Sequence, residues 1–223
     1  MKDGTAYASK LKKTYAKLRK ASGAQKFPER EDMIHSLGVG VLGAGCGDLK
    51  AERALRKLLD AMVDWNEIRI SSPREVIRAV GNTITDGQIR GGQLINALQS
   101  VFQRENCLSL DRLKGMGRRE ARQYLEELDG VDEYAVASVL LWGLGGHAIP
   151  VDDALLNALR GADLVHQSAT RAEVQAFLER HVSASEAKEF CVVMRSFAAD
   201  DGAARARQRG RRAVAGKARR KNA

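Results

Sequence analysis

The pattern between Leu125 and Leu159 constrains this chain more than any other feature. A helix closes over Leu125-Glu-Glu-Leu128, the turn Asp129-Gly-Val-Asp132 follows, and an Ala/Val-rich helix opens at Glu133. Past Trp142, the glycine-bearing loop Gly143-Leu-Gly-Gly-His-Ala-Ile-Pro150 leads through Val151 to Asp152, which opens the next helix, running to Arg160. A glycine turn ahead of a helix presents backbone N–H groups at the helix N-terminus, where an anion such as a phosphate is held without any side-chain reading. Taken alone, Gly130-Val131 also fits an ordinary connection between two helices.

The rest of the chain reads as helices. Proline occurs only at Pro28, Pro73 and Pro150, and strand signals are few. Residues 5–21 place Ala6, Tyr7, Leu11, Tyr15 and Leu18 at helical spacing, with lysines between them. Met33 to Leu42 is apolar, and Gly43-Ala-Gly-Cys-Gly47 reads as a turn before a helix over 49–63 with Asp48 as its N-cap. Residues 66–72 read as irregular. Ser72-Pro73-Arg74-Glu75 has the form of a helix start, with Pro at the first helical position and a capping-box Glu. Residues 81–92 hold four glycines and read as a loop. Further helices are expected at 94–102, 109–114, 118–128, 133–142, 170–181 and 185–200. The expected fold class is all-α.

The net charge of +9 is unevenly placed. Residues 203–223 hold nine Lys/Arg and no acid, and residues 1–30 hold nine against two acids, whereas 31–202 carry 19 basic and 26 acidic side chains. Two basic arms thus flank a mildly acidic body, and such arms supply salt-dependent attraction to phosphates. Residues 203–223 have little apolar content and are expected to be disordered. No apolar run reaches the roughly 18 residues a membrane span needs, and no secretory segment opens the chain. Cys46, Cys107 and Cys191 are odd in number and far apart, which fits a reducing cytoplasm. His35, His147, His166 and His181 are scattered, so no metal site is indicated. Trp65 and Trp142 read as core residues rather than stacking platforms.

These pieces together resemble the endonuclease III-like, helix-hairpin-helix (HhH-GPD) superfamily of DNA glycosylases. The hairpin helix, the small loop and the Pro150-Val151-Asp152 step fall at family spacing. Met62-Val-Asp-Trp-Asn-Glu-Ile-Arg-Ile70, Ser71-Ser-Pro-Arg-Glu-Val-Ile77 and Glu120-Ala-Arg-Gln-Tyr-Leu125 add to the likeness, which spans about residues 30–200. It implies two helical lobes: 31–146 with the hairpin, and 1–30 plus 147–202 with the aspartate, ahead of the basic tail 203–223. Lys114-Gly-Met-Gly-Arg-Arg119 also looks like a phosphate-binding hairpin, but Arg119 lies 33 residues before Asp152, too far for one hairpin-plus-helix unit.

The resemblance also assigns roles. Cleaving a glycosidic bond develops positive charge on the sugar, and Asp152 is the carboxylate that stabilises it and orients water. Asp152 also suits a plain helix cap. Asp153 places a second acid beside it. Tyr134, 18 residues before Asp152, stands where bifunctional members carry the lysine that forms a Schiff base. A phenol cannot do that, but it can bond a phosphate, a water or Asp152, or serve as a packing residue. The implied function is a monofunctional DNA N-glycosylase of base-excision repair, monomeric and nucleoid-associated, acting on duplex DNA with a damaged or mismatched base. A catalytically inactive DNA-binding or lesion-sensing protein, and a nucleoid scaffold, are the other readings. Gly130, Val131 and Asp132 form the expected phosphate hairpin, and Gln88, Ile89 and Arg90 the loop that wedges into DNA.

Three departures from the family stand out. No cysteine follows Cys191, so the family's iron–sulfur cluster cannot form, and no cofactor is expected. Asp132 and Glu133 put acids at the phosphate hairpin, each expected to oppose binding by about 0.5–1 kcal/mol when exposed. Gly45 occupies the turn before Asp48 where a glutamine is common in the family.

Overall fold

The computed structural model describes residues 4–23 and 32–200. The basic segment 203–223 and residues 1–3 and 24–31 of the N-terminal arm lie outside these. Among the described residues the secondary structure is helical throughout, as the periodicity requires. The helices are α1 (Gly4–Ser22), α2 (Met33–Gly43), α3 (Asp48–Ala61), α4 (Trp65–Ile70), α5 (Pro73–Val80) and α6 (Gly87–Glu105), then α7 (Arg118–Glu126), α8 (Glu133–Ser138), α9 (Asp153–Gly161) and α10 (Arg171–His181). A last helix, α11, covers 187–200.

α2 is the central strut. Every one of its residues is buried, and its first turn is closed by the Asp32 carboxylate, which accepts from the His35 N–H. Three glycines in so short a helix work against local propensity, by about 1 kcal/mol each relative to alanine. Gly40 shows the return: a Cβ there would stand 3.0 Å from Cα of Ala135 in α8. The small faces Gly-Val-Gly of α2 and Ala-Val-Ala-Ser of α8 thus bring two backbones together, which fixes where Tyr134 projects.

Two segments differ from the expectations. Residues 65–70 are helical, not irregular, because Asp64 caps the turn through the Glu67 N–H and Ile68 is fully buried. The glycine-rich stretch from Gly87 onward is helix α6, not loop. Its Gly91 is a packing residue: a Cβ there would meet Cγ1 of Val76 at 3.2 Å, so the glycine lets α5 and α6 approach. The expected capping box at Ser72 and Glu75 is present in full.

The core is one apolar cluster running from α1 to α11. α1 joins the C-terminal helices through Tyr15 edge-on to Phe190, with centroids 5.0 Å apart, through Arg19 bonded to Glu189 at 2.8 Å, and through a Lys10–Asp163 pair. α8 passes into a π turn over Val139–Gly143. The loop after it is tied down where His147 Nε2 bonds the Val182 carbonyl at 2.9 Å and the Ile149 N–H donates to Glu179 at 3.1 Å. Those two bonds set the start of α9, and so the place of Asp152. No helix among the described residues is long and apolar enough to cross a membrane.

Candidate active site

Four polar side chains, two buried and two partly exposed, meet at the edge of the apolar core, each from a different element. Asp152 is the N-cap of α9: its Oδ1 accepts from the Leu155 N–H at 2.8 Å, and it is 3% exposed. Tyr134 comes from the first turn of α8 and is equally buried. Asp48 is the first residue of α3, and Arg195 lies on α11. A cap, a hairpin helix, a turn and the C-terminal helix thus converge on one place.

Arg195 is the hub. Its Nη1 lies 3.6 Å from Oδ2 of Asp152 and 3.9 Å from Oδ1 of Asp48, and its guanidinium carbon sits 4.9 Å from the centre of the Tyr134 ring. Its Nη2 is buried and has no hydrogen-bond partner. Burial opposes the charged guanidinium, but Tyr134 and the two carboxylates outweigh it and push its pKa up, so it stays cationic at any working pH. Burial pushes the Tyr134 phenol well above its ordinary range, against the pull of Arg195, so Tyr134 is a neutral donor. Cys191, one helical turn before Arg195, is a thiol pushed up to about 12, again by burial.

Several expectations change here. Tyr134 does not reach Asp152; its hydroxyl donates to Oδ1 of Asp48 at 2.5 Å. Asp48 is not the N-cap of α3: Gly47 holds that position with no side-chain cap bond, and the Asp48 carboxylate turns inward to Tyr134 and Arg195. Asp153 adds little to the cluster, because its exposed side chain pairs outward with Arg171 at 3.7 Å. Trp142 is buried and Trp65 is half-buried against the core, as expected.

The hairpin is built as its glycine demands. Gly130 has φ +79, and a Cβ there would come 2.2 Å from the Gln93 carbonyl oxygen of α6. The Val131 N–H is used within the turn, on the Leu128 carbonyl at 3.3 Å. Asp132 caps α8, accepting from the Ala135 N–H at 2.9 Å, and its other oxygen pairs with Arg90 at 2.7 Å. The acid at the hairpin is therefore matched by a cation, which the sequence reading did not foresee. Gln88, Ile89 and Arg90 lie in the first turns of α6, not in a loop. Gln88 and Ile89 are exposed, while Arg90 is held by Asp132 and Gln93.

Arg195 is the site residue that sequence reasoning missed. The signal was present: Ala187, Phe190, Cys191, Met194 and Ala198 form the buried stripe of α11, and Arg195 falls four residues after Cys191 on that stripe. A basic residue on a buried helical face demands carboxylate partners elsewhere in the fold.

No family model matches the chain, and no curated protein matches its sequence. Solved structures do match. The fold is similar to that of endonuclease III trapped in a covalent intermediate with DNA, with a TM-score of 0.66 at 15% identity over 84% of each chain. It is also similar to a thermostable thymine-DNA glycosylase, at 0.61 and 17% over 86% of this chain and 87% of that one. A 3-methyladenine DNA glycosylase of H. pylori bound to 1,N6-ethenoadenine matches at 0.66 and 15%, over 87% of this chain and 98% of that one. The chain has the all-α fold of the helix-hairpin-helix DNA glycosylases.

Proposed function

We propose that this chain is a monofunctional DNA N-glycosylase of base-excision repair, with Asp152 as its essential carboxylate. The observation that carries the reading is the pairing of a buried, fixed Asp152 with a phenol, Tyr134, in the same cluster where a bifunctional enzyme needs an amine. The reaction breaks the bond between the sugar C1′ and the base nitrogen. Positive charge grows on the sugar as that bond lengthens, and a carboxylate in a low-dielectric setting stabilises it more strongly than in water. Water adds to C1′, its proton leaves, and the departing base takes up a proton. Among the described residues the cluster holds no amine to form the Schiff base that would lead to strand cleavage. Tyr134 braces Asp48 and belongs to the site as a neutral donor rather than a nucleophile.

DNA binding belongs to the same proposal. Gly130, Val131 and Asp132 lie against the phosphate backbone, with Arg90 offsetting the acid, and exposed Ile89 beside Gln88 is placed to wedge between bases. The division into lobes at 31–146 and at 1–30 plus 147–202 is part of it, with Tyr134 and Asp48 from the first and Asp152 and Arg195 from the second. The basic arms add salt-dependent attraction. The protein acts as a monomer on duplex DNA carrying a damaged or mismatched base.

A second reading has one observation in its favour. Asp152 is almost fully buried and its charge is partly neutralised by Arg195, as in a site that binds DNA without chemistry. Base release separates the two. Wild type and Asp152→Asn are incubated with duplexes carrying uracil, thymine glycol, an alkylated base or a mismatch. Release by wild type and not by the variant is the expected result. Equal background release by both on every duplex supports the non-enzymatic reading instead.

A further inference from the structure

Arg195 pairs with two carboxylates by charge rather than by hydrogen bonds. Its Nη1 stands beyond hydrogen-bond distance from both carboxylates, and its Nη2 is buried without a partner. Placing a cation so deep is unfavourable, and the two long contacts are a weak return for that burial. What its position does supply is geometry. A carboxylate that only caps a helix is free to turn about its side chain, because the cap needs one oxygen. Asp152 uses Oδ1 for the Leu155 N–H, and Arg195 faces the other oxygen, Oδ2. The same guanidinium lies over the Tyr134 ring and reaches Asp48, the acceptor of the Tyr134 phenol. One side chain from α11 therefore sets the facing of the α9 cap, the α3 start and the α8 phenol at once.

We propose that Arg195 is the positioning residue of this site: it locks the rotation of Asp152, so that Oδ1 stays on the helix cap and Oδ2 stays aimed into the cluster. This rests on the glycosylase reading for its consequence in rate, but not for its geometry. The 3.6 Å separation leaves the Oδ2 lone pairs unclaimed by any hydrogen bond from Arg195, so the carboxylate is oriented without being quenched. Lysine retains the charge but lacks the planar guanidinium, which here sets one nitrogen, Nη1, between two carboxylates while its plane lies over the Tyr134 ring.

Removing the guanidinium alone strands two buried acids, and Arg195→Gln is expected to fold poorly. The test is therefore made in an Asp48→Asn background, where the asparagine oxygen still accepts from Tyr134 and the glutamine variant leaves one acid, not two, without its cation. Three full-length proteins are compared: Asp48→Asn, Asp48→Asn/Arg195→Gln and Asp48→Asn/Arg195→Lys. Two readouts are taken, amide exchange at Leu155 and single-turnover base release from the same four duplexes. With glutamine, the Leu155 amide is expected to exchange about tenfold faster while amides later in α9 keep their protection. Base release is expected to fall about a hundredfold at unchanged DNA affinity, the scale of losing one oriented charge in a site. Lysine restores part of both. Unchanged Leu155 exchange in a folded glutamine variant overturns the proposal, whatever the rate does. Faster Leu155 exchange with no base release by any protein, wild type included, leaves the positioning role standing and removes the glycosylase reading.

Discussion

The hydroxyl of Tyr134 donates to Asp48 at 2.5 Å, so the phenol is committed to a carboxylate 86 positions away and not to Asp152. The bond is part-buried, and its acceptor is a carboxylate. Tyr134→Phe deletes the donor and leaves Asp48 leaning on Arg195 alone. A hydrogen bond to a charged group contributes about 1.5–3 kcal/mol, and the loss should appear in full as a lower urea midpoint with an unchanged slope. A midpoint equal to wild type means that the phenol only fills space.

Gly130 is the position least open to change in the hairpin. It combines φ +79 with a carbonyl oxygen 2.2 Å from where a Cβ would stand. Gly130→Ala must shift the hairpin off α6, with a loss of about 2 kcal/mol or more. Chemical denaturation measures that loss. Weaker binding to any duplex, independent of lesion, is the accompanying expectation, because a phosphate hairpin carries no sequence information.

The Arg90–Asp132 pair joins the first turns of α6 to the hairpin at 2.7 Å, with both side chains partly shielded. A double-mutant cycle with Arg90→Gln and Asp132→Asn should return a coupling of about 1 kcal/mol. Arg90→Gln alone leaves the hairpin carboxylate unmatched, and DNA affinity should drop several-fold at low salt, with the difference shrinking as salt rises. An equal drop at all salt concentrations points to lost shape rather than lost charge.

Folding stability should fall at alkaline pH. Burial raises the Cys191 thiol from 9.0 to about 12, raises Tyr15 from 10.0 to about 12, and raises Tyr134 well above 10.0. The folded state keeps these protons while the unfolded chain releases them. Their contribution is therefore complete below pH 9.0 and is lost as the pH climbs towards the folded values. Each such group adds a slope of about 1.4 kcal/mol per pH unit inside its window. Urea midpoints across pH 7 to 11 check this. Cys191→Ala should reduce the loss between pH 9.0 and 10.0 to the share of Cys46, whose thiol burial also raises, before the tyrosines take over.

Much of the architecture was legible because its signals are local. Ser72 and Glu75 announce a capping box, Asp152 sits where a helix must be capped, and Gly130 marks a turn that only glycine makes. The misread segments have a common cause. Glycines at 87–92 look like breakers in one dimension, yet Gly91 is there to let α6 lie on Val76. Asp48 follows a glycine turn and so looks like a cap, but its carboxylate is drawn inward by partners 86 and 147 positions later. Arg195 was invisible for the same reason: its partners are set by tertiary folding, and only the buried stripe of α11 hints at them.

Base removal at Asp152 without strand cleavage is read from one gel. Lesion-bearing duplex is treated with wild-type protein and resolved with and without hot alkali, alongside a borohydride-trapped sample. The expected result is strand breaks that appear only after alkali, with no trapped adduct, and loss of those alkali-dependent breaks in Asp152→Asn. Nicks without alkali or a trapped covalent adduct contradict it, because either requires an amine in a cluster that offers Tyr134 instead.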